Sequence, residues 1–320
     1  MEQGSRLHNF LSTFRGISGD DWRKHGILFF LTFFSTTLTG VTFALTQENV
    51  LLQGLAYSIP VMIILTGHEL GHYYFARKYG VKVSLPFFIP LPLISPFGTL
   101  GAFIKMETFP ESRRELFDIA FWGPAMSFLL SIPFAVTGLL LSRVQAIPAD
   151  FTGVVFGDSL IFKFIAGMFF DIPEGHDIII HPMAFAAWVG FFVTAINLIP
   201  VGQLDGGHIA YSLFGKRQKE IAVTSLVILG IMALEFYGWL VWLVLLVAMG
   251  IKHPPLFSIN PFHDFLDNRR LKLAWGSLLM LLLCFTPAPM KQESPQPGQQ
   301  EERKLPLSDE FKVQLEKSTG

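Results

Sequence analysis

Uncharged runs of bilayer length set the limits on what this chain can fold into. Residues 26–46, 49–67, 119–142, 178–203 and 273–290 contain no Asp, Glu, Lys or Arg. A helix needs about 20 apolar residues to cross ~30 Å of hydrocarbon, and each run approaches that length. Lipid offers the backbone no hydrogen-bond partners, so each run reads as a spanning helix. A further run, 221–251, is broken only by Glu235. It is long for one span and short for two, compatible with a hairpin turning near Tyr237 and Gly238 or with one long tilted helix. The expected fold class is an all-α polytopic membrane protein of about six to seven transmembrane helices. With 51% hydrophobic and 15% charged residues among 320, a cytosolic enzyme or a disordered chain is excluded. A net charge of −1 supplies no basic stripe, so no nucleic-acid partner is expected. The single cysteine, Cys284, excludes an internal disulfide and a thiolate metal cluster. The opening residues MEQGSRLHNF lack the apolar core of a secretory signal, so the first span is expected to direct insertion.

Lys and Arg in the connections predict orientation. Arg23 and Lys24 precede the first run; Arg77, Lys78, Lys82, Lys105, Arg113 and Arg114 follow the second; Lys216, Arg217 and Lys219 follow the fourth. These regions are expected in the cytoplasm. The other side holds Glu48, Asp150, Asp158, Asp171, Glu174 and Asp177 against Arg143 and Lys163. The N-terminus is then inside, and spans two and four run parallel. Residues 84–106, SLPFFIPLPLISPFGTLGAFIKM, carry too much Pro for a helix and are too apolar for an ordinary loop. They read as a re-entrant or interfacial segment, with a short strand over 98–106. The polar tail from Ser294 is expected to be disordered. No internal repeat is visible.

Span two ends in LTGHELGHYYFARKYG. His68 and His72, four apart, share one helix face and can offer two imidazoles to one zinc ion, with Glu69 beside them as general base. Such a zinc polarises a peptide carbonyl and lowers the pKa of a bound water, whose proton Glu69 takes and passes to the leaving amine. Solvated helices also carry chance His-Glu pairs. A helix that has just crossed the bilayer places them where polarity is costly and usually functional. Two His leave room for a third protein ligand, and Asp205, in the sequence AINLIPVGQLDGGHIAY at the end of the parallel span four, is the leading candidate. Pro200 is expected to interrupt that helix, and Gly206 with Gly207 to free the backbone so that Asp205 turns inward. Asn197, about two helical turns before Asp205, reads either as a donor to substrate or oxyanion, or as interhelical glue. His208 ranks below Asp205, since a fourth protein ligand would close a site that catalysis needs open. His176 and His181 are expected on the opposite side, as interfacial polar residues.

His-Glu-Leu-Gly-His at 68–72, with Asn197, Pro200 and Leu204-Asp205-Gly206, resembles the site-2 protease family of intramembrane zinc metalloproteases, peptidase family M50. Gly123-Pro124, His253-Pro254-Pro255 and the lack of an inserted PDZ segment are similar to its EGY-like branch. The resemblance implies an intramembrane zinc endopeptidase cleaving within or near transmembrane segments of single-span or multi-span substrates. It implies one Zn2+ per chain on His68, His72 and Asp205, with Glu69 catalytic. It also implies a 26–290 transmembrane metalloprotease domain, with a β-like re-entrant loop at 84–106 and an outer loop at 143–177. A 1–25 cytoplasmic segment and a 291–320 tail would flank it. The absence of a long plastid-directed leader favours a bacterial cytoplasmic membrane. An unwound substrate must be held, and Gly98, Thr99, Gly101, Ala102 and Phe103 are the candidate strand edge that captures it by β-augmentation. A re-entrant plug covering the site is the other reading of that loop. Two competing functions are a zinc- or proton-linked transporter or channel using the same buried groups, and a catalytically silent relative acting as a membrane chaperone.

Overall fold

The computed structural model describes residues 19–43, 49–148, 152–253 and 266–293. Among these residues the chain is mostly helical. Helix α1 (Gly19–Thr42) packs along α2 (Val50–Lys78), which in turn packs on α3 (Arg113–Leu140). Close approach is built from small residues: a Cβ on Gly54 of α2 would lie 2.8 Å from the Thr37 carbonyl oxygen of α1. After a short helix, α4 (Leu160–Gly167), comes α5 (Pro182–Leu198), lodged against both α2 and α3. Its face carrying Phe185, Trp188 and Phe192 is almost wholly buried, forming the centre of the core. Helix α6 (Asp205–Phe214) follows a break, then α7 (Gln218–Met232), α8 (Gly238–Met249) and α9 (Asn268–Cys284).

By length and hydropathy, the segments able to cross a membrane among the described residues are Trp22–Thr42, Val50–Lys78 and Arg113–Leu140. The uncharged run 178–203 does not form one helix. Its first two residues, Ile178 and Ile179, belong to a strand (His176–Ile179), and helix α5 is only 17 residues, about 25 Å at 1.5 Å per residue. Residues 221–251 form the hairpin, with α7 and α8 joined across Ala233–Tyr237. A distant contact anchors the second helix. Trp239 at the start of α8 is fully buried, stacks on Phe285 and donates its indole N–H to the Pro287 carbonyl at 2.7 Å.

The Pro-rich segment forms a β-hairpin packed against the helices. Strands β1 (Phe87–Pro90) and β2 (Thr99–Phe103) form an antiparallel hairpin, and Val83 bridges Met106 at its base. Pro86, Pro90, Pro92 and Pro96 lack N–H groups, so the segment has surplus carbonyls that hydrocarbon cannot satisfy. Side chains of the flanking helices supply the donors. His25 Nδ1 meets the Pro86 carbonyl at 2.9 Å, Ser35 donates to that of Gly98, and Tyr57 Oη donates to that of Phe97 at 2.9 Å. Tyr57 stands eleven positions, about 16 Å, before His68 on α2, so the hairpin reaches deep into the bundle.

Two further ribbons, absent from the sequence reading, close the end of the bundle opposite the cationic connections. They pair β3 (Arg143–Ala146) with β5 (His176–Ile179), and β4 (Gly153–Phe156) with β6 (Met290–Glu293). Four-residue strands with mixed polarity leave no periodic pattern to read. His176 is an exposed member of β5 and His181 caps α5, both at that end. The predicted disordered tail from Ser294, and Pro254-Pro255, lie outside the described residues.

Candidate metal centre

Helix α2 brings His68 and His72 onto one face, both buried, as the i, i+4 spacing requires. Helix α5 stops at Leu198, Pro200 lies in the break, and Asp205 opens α6, its carboxylate turned back toward α2. Asn197 and Asp205 are therefore not stacked two turns apart on one helix; the helix breaks between them. Gly206 and Gly207 are helical and do not act by backbone freedom. A Cβ on Gly206 would lie 2.0 Å from the Leu198 carbonyl oxygen, and one on Gly207 2.4 Å from that of Gly202. Both glycines let α6 press against the loop that carries it.

Three donor atoms converge. His68 Nε2 and His72 Nε2 are 3.0 Å apart, and Asp205 Oδ2 is 3.3 Å from each. Ligand bonds of 2.0–2.1 Å at tetrahedral angles give donor separations of about 3.3 Å, so the triangle has the dimensions of one face of a zinc shell. The far sides of the rings set their tautomers. His72 Nδ1 lies 2.7 Å from the Ile119 carbonyl, which can only accept, so Nδ1 carries a proton and Nε2 is the nitrogen turned toward the triangle. His68 Nδ1 lies 3.1 Å from Ser127 Oγ, whose own proton is taken by the Pro124 carbonyl or by Thr194 Oγ1. Ser127 then accepts from His68, whose Nε2 is again the nitrogen turned toward the triangle. With both rings neutral, two lone pairs and a carboxylate point at one place, an arrangement that a bound cation stabilises. That donor set fits a zinc ion, held by His68, His72 and Asp205.

Around the triangle is a cavity of about 120 Å³ lined by Glu69, Ala102, Phe103, Asn197 and His208 among others. Glu69 is buried beside its His neighbours, and its carboxylate accepts the backbone N–H of Ile104, the first residue after β2. Asn197 Nδ2 comes within 3.5 Å of His68 Nε2. His208 is directed to another partner, with Nδ1 2.7 Å from His253 Nε2, and His253 stacks on Tyr211. Of the proposed strand-edge residues, Ala102 and Phe103 line the cavity. Gly98, Thr99 and Gly101 do not. Gly98 is wedged against α1, where a Cβ would meet Thr39 Oγ1 at 2.5 Å, and its φ of +76° needs glycine. Thr99 Oγ1 donates to the Ile89 carbonyl at 2.8 Å and accepts the Gly101 N–H at 2.9 Å, so both residues fasten the hairpin to itself.

Sequence reasoning missed the residues that hold the ligand rings: Ile119, Ser127 and Thr194. It also noted Gly123-Pro124 without a mechanism. A Cβ at Gly123 would fall 2.1 Å from His72 Nε2. Gly123→Ala is therefore expected to displace the imidazole and weaken zinc affinity by about 10- to 100-fold. Titration with a competing chelator measures this, and wild-type affinity would show that the ring has room to shift.

The geometry has counterparts among known proteins. Residues 56–237 match the family described as Peptidase family M50, an interval that contains His68, Glu69, His72 and Asp205. The chain is 29% identical over 244 residues to a protein of Arabidopsis thaliana named "Probable zinc metalloprotease EGY2, chloroplastic", covering 75% of this chain and 43% of that protein. It is 34% identical over 246 residues to "Probable zinc metalloprotease EGY1, chloroplastic" of the same plant, again with 75% and 43% coverage. The chain thus spans less than half the length of these curated relatives. A solved site-2 protease from Methanocaldococcus jannaschii is 20% identical with a TM-score of 0.34, covering 80% of this chain and 88% of that one, too loose a superposition to bear on the fold. Since the family match takes in more than half of the chain and every residue of the donor triangle, this chain belongs to Peptidase family M50.

Proposed function

We propose that the protein is an intramembrane zinc metalloendopeptidase that hydrolyses peptide bonds within or near the transmembrane segments of membrane-protein substrates. The observation that carries this reading is the convergence of two imidazole nitrogens and one carboxylate at 3.0–3.3 Å, beside a buried Glu69. Bound there, zinc supplies Lewis acidity toward a peptide carbonyl and toward water. Glu69 takes the water's proton and hands it to the departing amine, the Ile104 N–H keeping its carboxylate aimed into the cavity. Asn197, projecting from the last turn of α5, donates its amide N–H to the carbonyl oxygen under attack. The exposed side of β2 at Ala102 and Phe103 receives an unwound substrate segment, whose backbone must leave its helix before a carbonyl becomes reachable.

In this reading α1, α2, α3, α5, α9 and the α7–α8 hairpin sit in the bilayer, giving about six to seven crossings. The Lys- and Arg-rich end, with the donor triangle near it, faces the cytoplasm and the N-terminal segment is inside. The test is cleavage of a single-span substrate co-reconstituted in liposomes. Cleavage is expected to stop on chelation and return when zinc is added back. Zinc flux across the liposome without cleavage would instead favour a transporter.

A further inference from the structure

One carboxylate joins three helices near the site. Asp118, in the second turn of α3, is buried and takes both arms of the Arg270 guanidinium from the start of α9, at 2.9 Å to Nε and 2.6 Å to Nη2. Tyr79, the residue that ends α2, donates its hydroxyl to the same carboxylate. Arg270 is itself held, since Nη1 donates to Asp267 at 2.8 Å, and Asp267 caps α9 by accepting the Arg270 backbone N–H. A forked, charge-assisted pair of this kind sets direction as well as proximity.

The clamp adjoins the metal ligands on both chains it grips. Asp118 precedes Ile119, whose carbonyl holds His72 Nδ1 at 2.7 Å. Tyr79 follows His72 by seven residues, two helical turns, and so lies on the same face of α2. His72 to Ile119 and Tyr79 to Asp118 are thus parallel struts between α2 and α3, and Arg270 closes the second. We propose that Arg270 is a positioning residue for the metal site, acting through Asp118 and Ile119 to hold the His72 ring in its ligating pose. The inference rests on the zinc reading above. It makes α9, from which the donor triangle takes no ligand, part of what sets metal affinity.

Arg270→Gln alone would strand a buried carboxylate and put folding at risk. Two other variants carry the test in the full chain. Arg270→Lys keeps the charge and loses the fork, and Asp118→Asn with Arg270→Gln removes both charges together. Zinc affinity by chelator competition and thermal unfolding of the metal-free protein are measured for each, beside wild type. Both variants are expected to bind zinc roughly 3- to 10-fold more weakly, less than a direct partner of a ligand would cause, with metal-free unfolding close to wild type. kcat should fall with KM unchanged. Zinc affinity within about twofold of wild type, on the scale of that direct-partner effect, overturns the proposal. So does a loss of affinity matched by an equal loss of metal-free stability, or a lysine variant that does not fold. Wild type that binds no zinc would instead refute the metal reading beneath it.

Discussion

Glu69→Gln is expected to abolish cleavage while leaving zinc in place. The amide keeps the size of the carboxylate but cannot take a proton from water, and general acid–base catalysis alone is worth about 10²- to 10⁴-fold. Its backbone partner, the Ile104 N–H, still finds an oxygen to bond, so the base of the β1–β2 hairpin should stay closed. The donor triangle is made by neighbouring side chains and is untouched. Turnover of a reconstituted substrate and zinc content of the same preparation are the paired readings. Full activity would remove Glu69 from the chemistry. Loss of both zinc and activity would make it a support for the ligands.

Asp205→Asn should act on the metal first. Asp205 supplies the anionic corner of the triangle, 3.3 Å from each His nitrogen, and an amide oxygen neutralises none of the ion's charge. His68 and His72 alone supply two ligands where a stable zinc site needs three, so most of the zinc should be lost and activity with it. Competition against a chromophoric chelator measures the change. The fold should survive, because α6 is held by the close approach of Gly206 and Gly207 to its preceding loop and not by the carboxylate. Unchanged zinc content would take Asp205 out of the ligand set.

The metal-binding part of this site was legible because ligation demands particular side chains at particular spacings. His68 and His72 announce themselves four apart, the parallel direction of spans two and four brought Asp205 to their depth, and the need for an open coordination position ranked it ahead of His208. What stayed hidden acts through groups that sequence does not mark. Ile119 contributes a backbone carbonyl, Ser127 and Thr194 are ordinary hydroxyls in an apolar run, and Gly123 contributes only empty space beside His72. The hairpin at 221–251 is anchored by Trp239 on Phe285 and Pro287, residues about fifty positions away that no local pattern foreshadows. The Pro-rich segment was recognisable as irregular backbone within a membrane protein. Its depth depended on donors from α1 and α2, His25, Ser35 and Tyr57, whose alignment only the packed bundle provides.

Zinc K-edge X-ray absorption of the purified protein examines the ligand set itself. Fitting the first shell should return two imidazoles and oxygen donors, four neighbours near 2.0–2.1 Å, and the multiple scattering of two rings, with metal analysis giving one zinc per chain. An absent edge, or a third imidazole drawn from His208 in place of the Asp205 carboxylate, would contradict it.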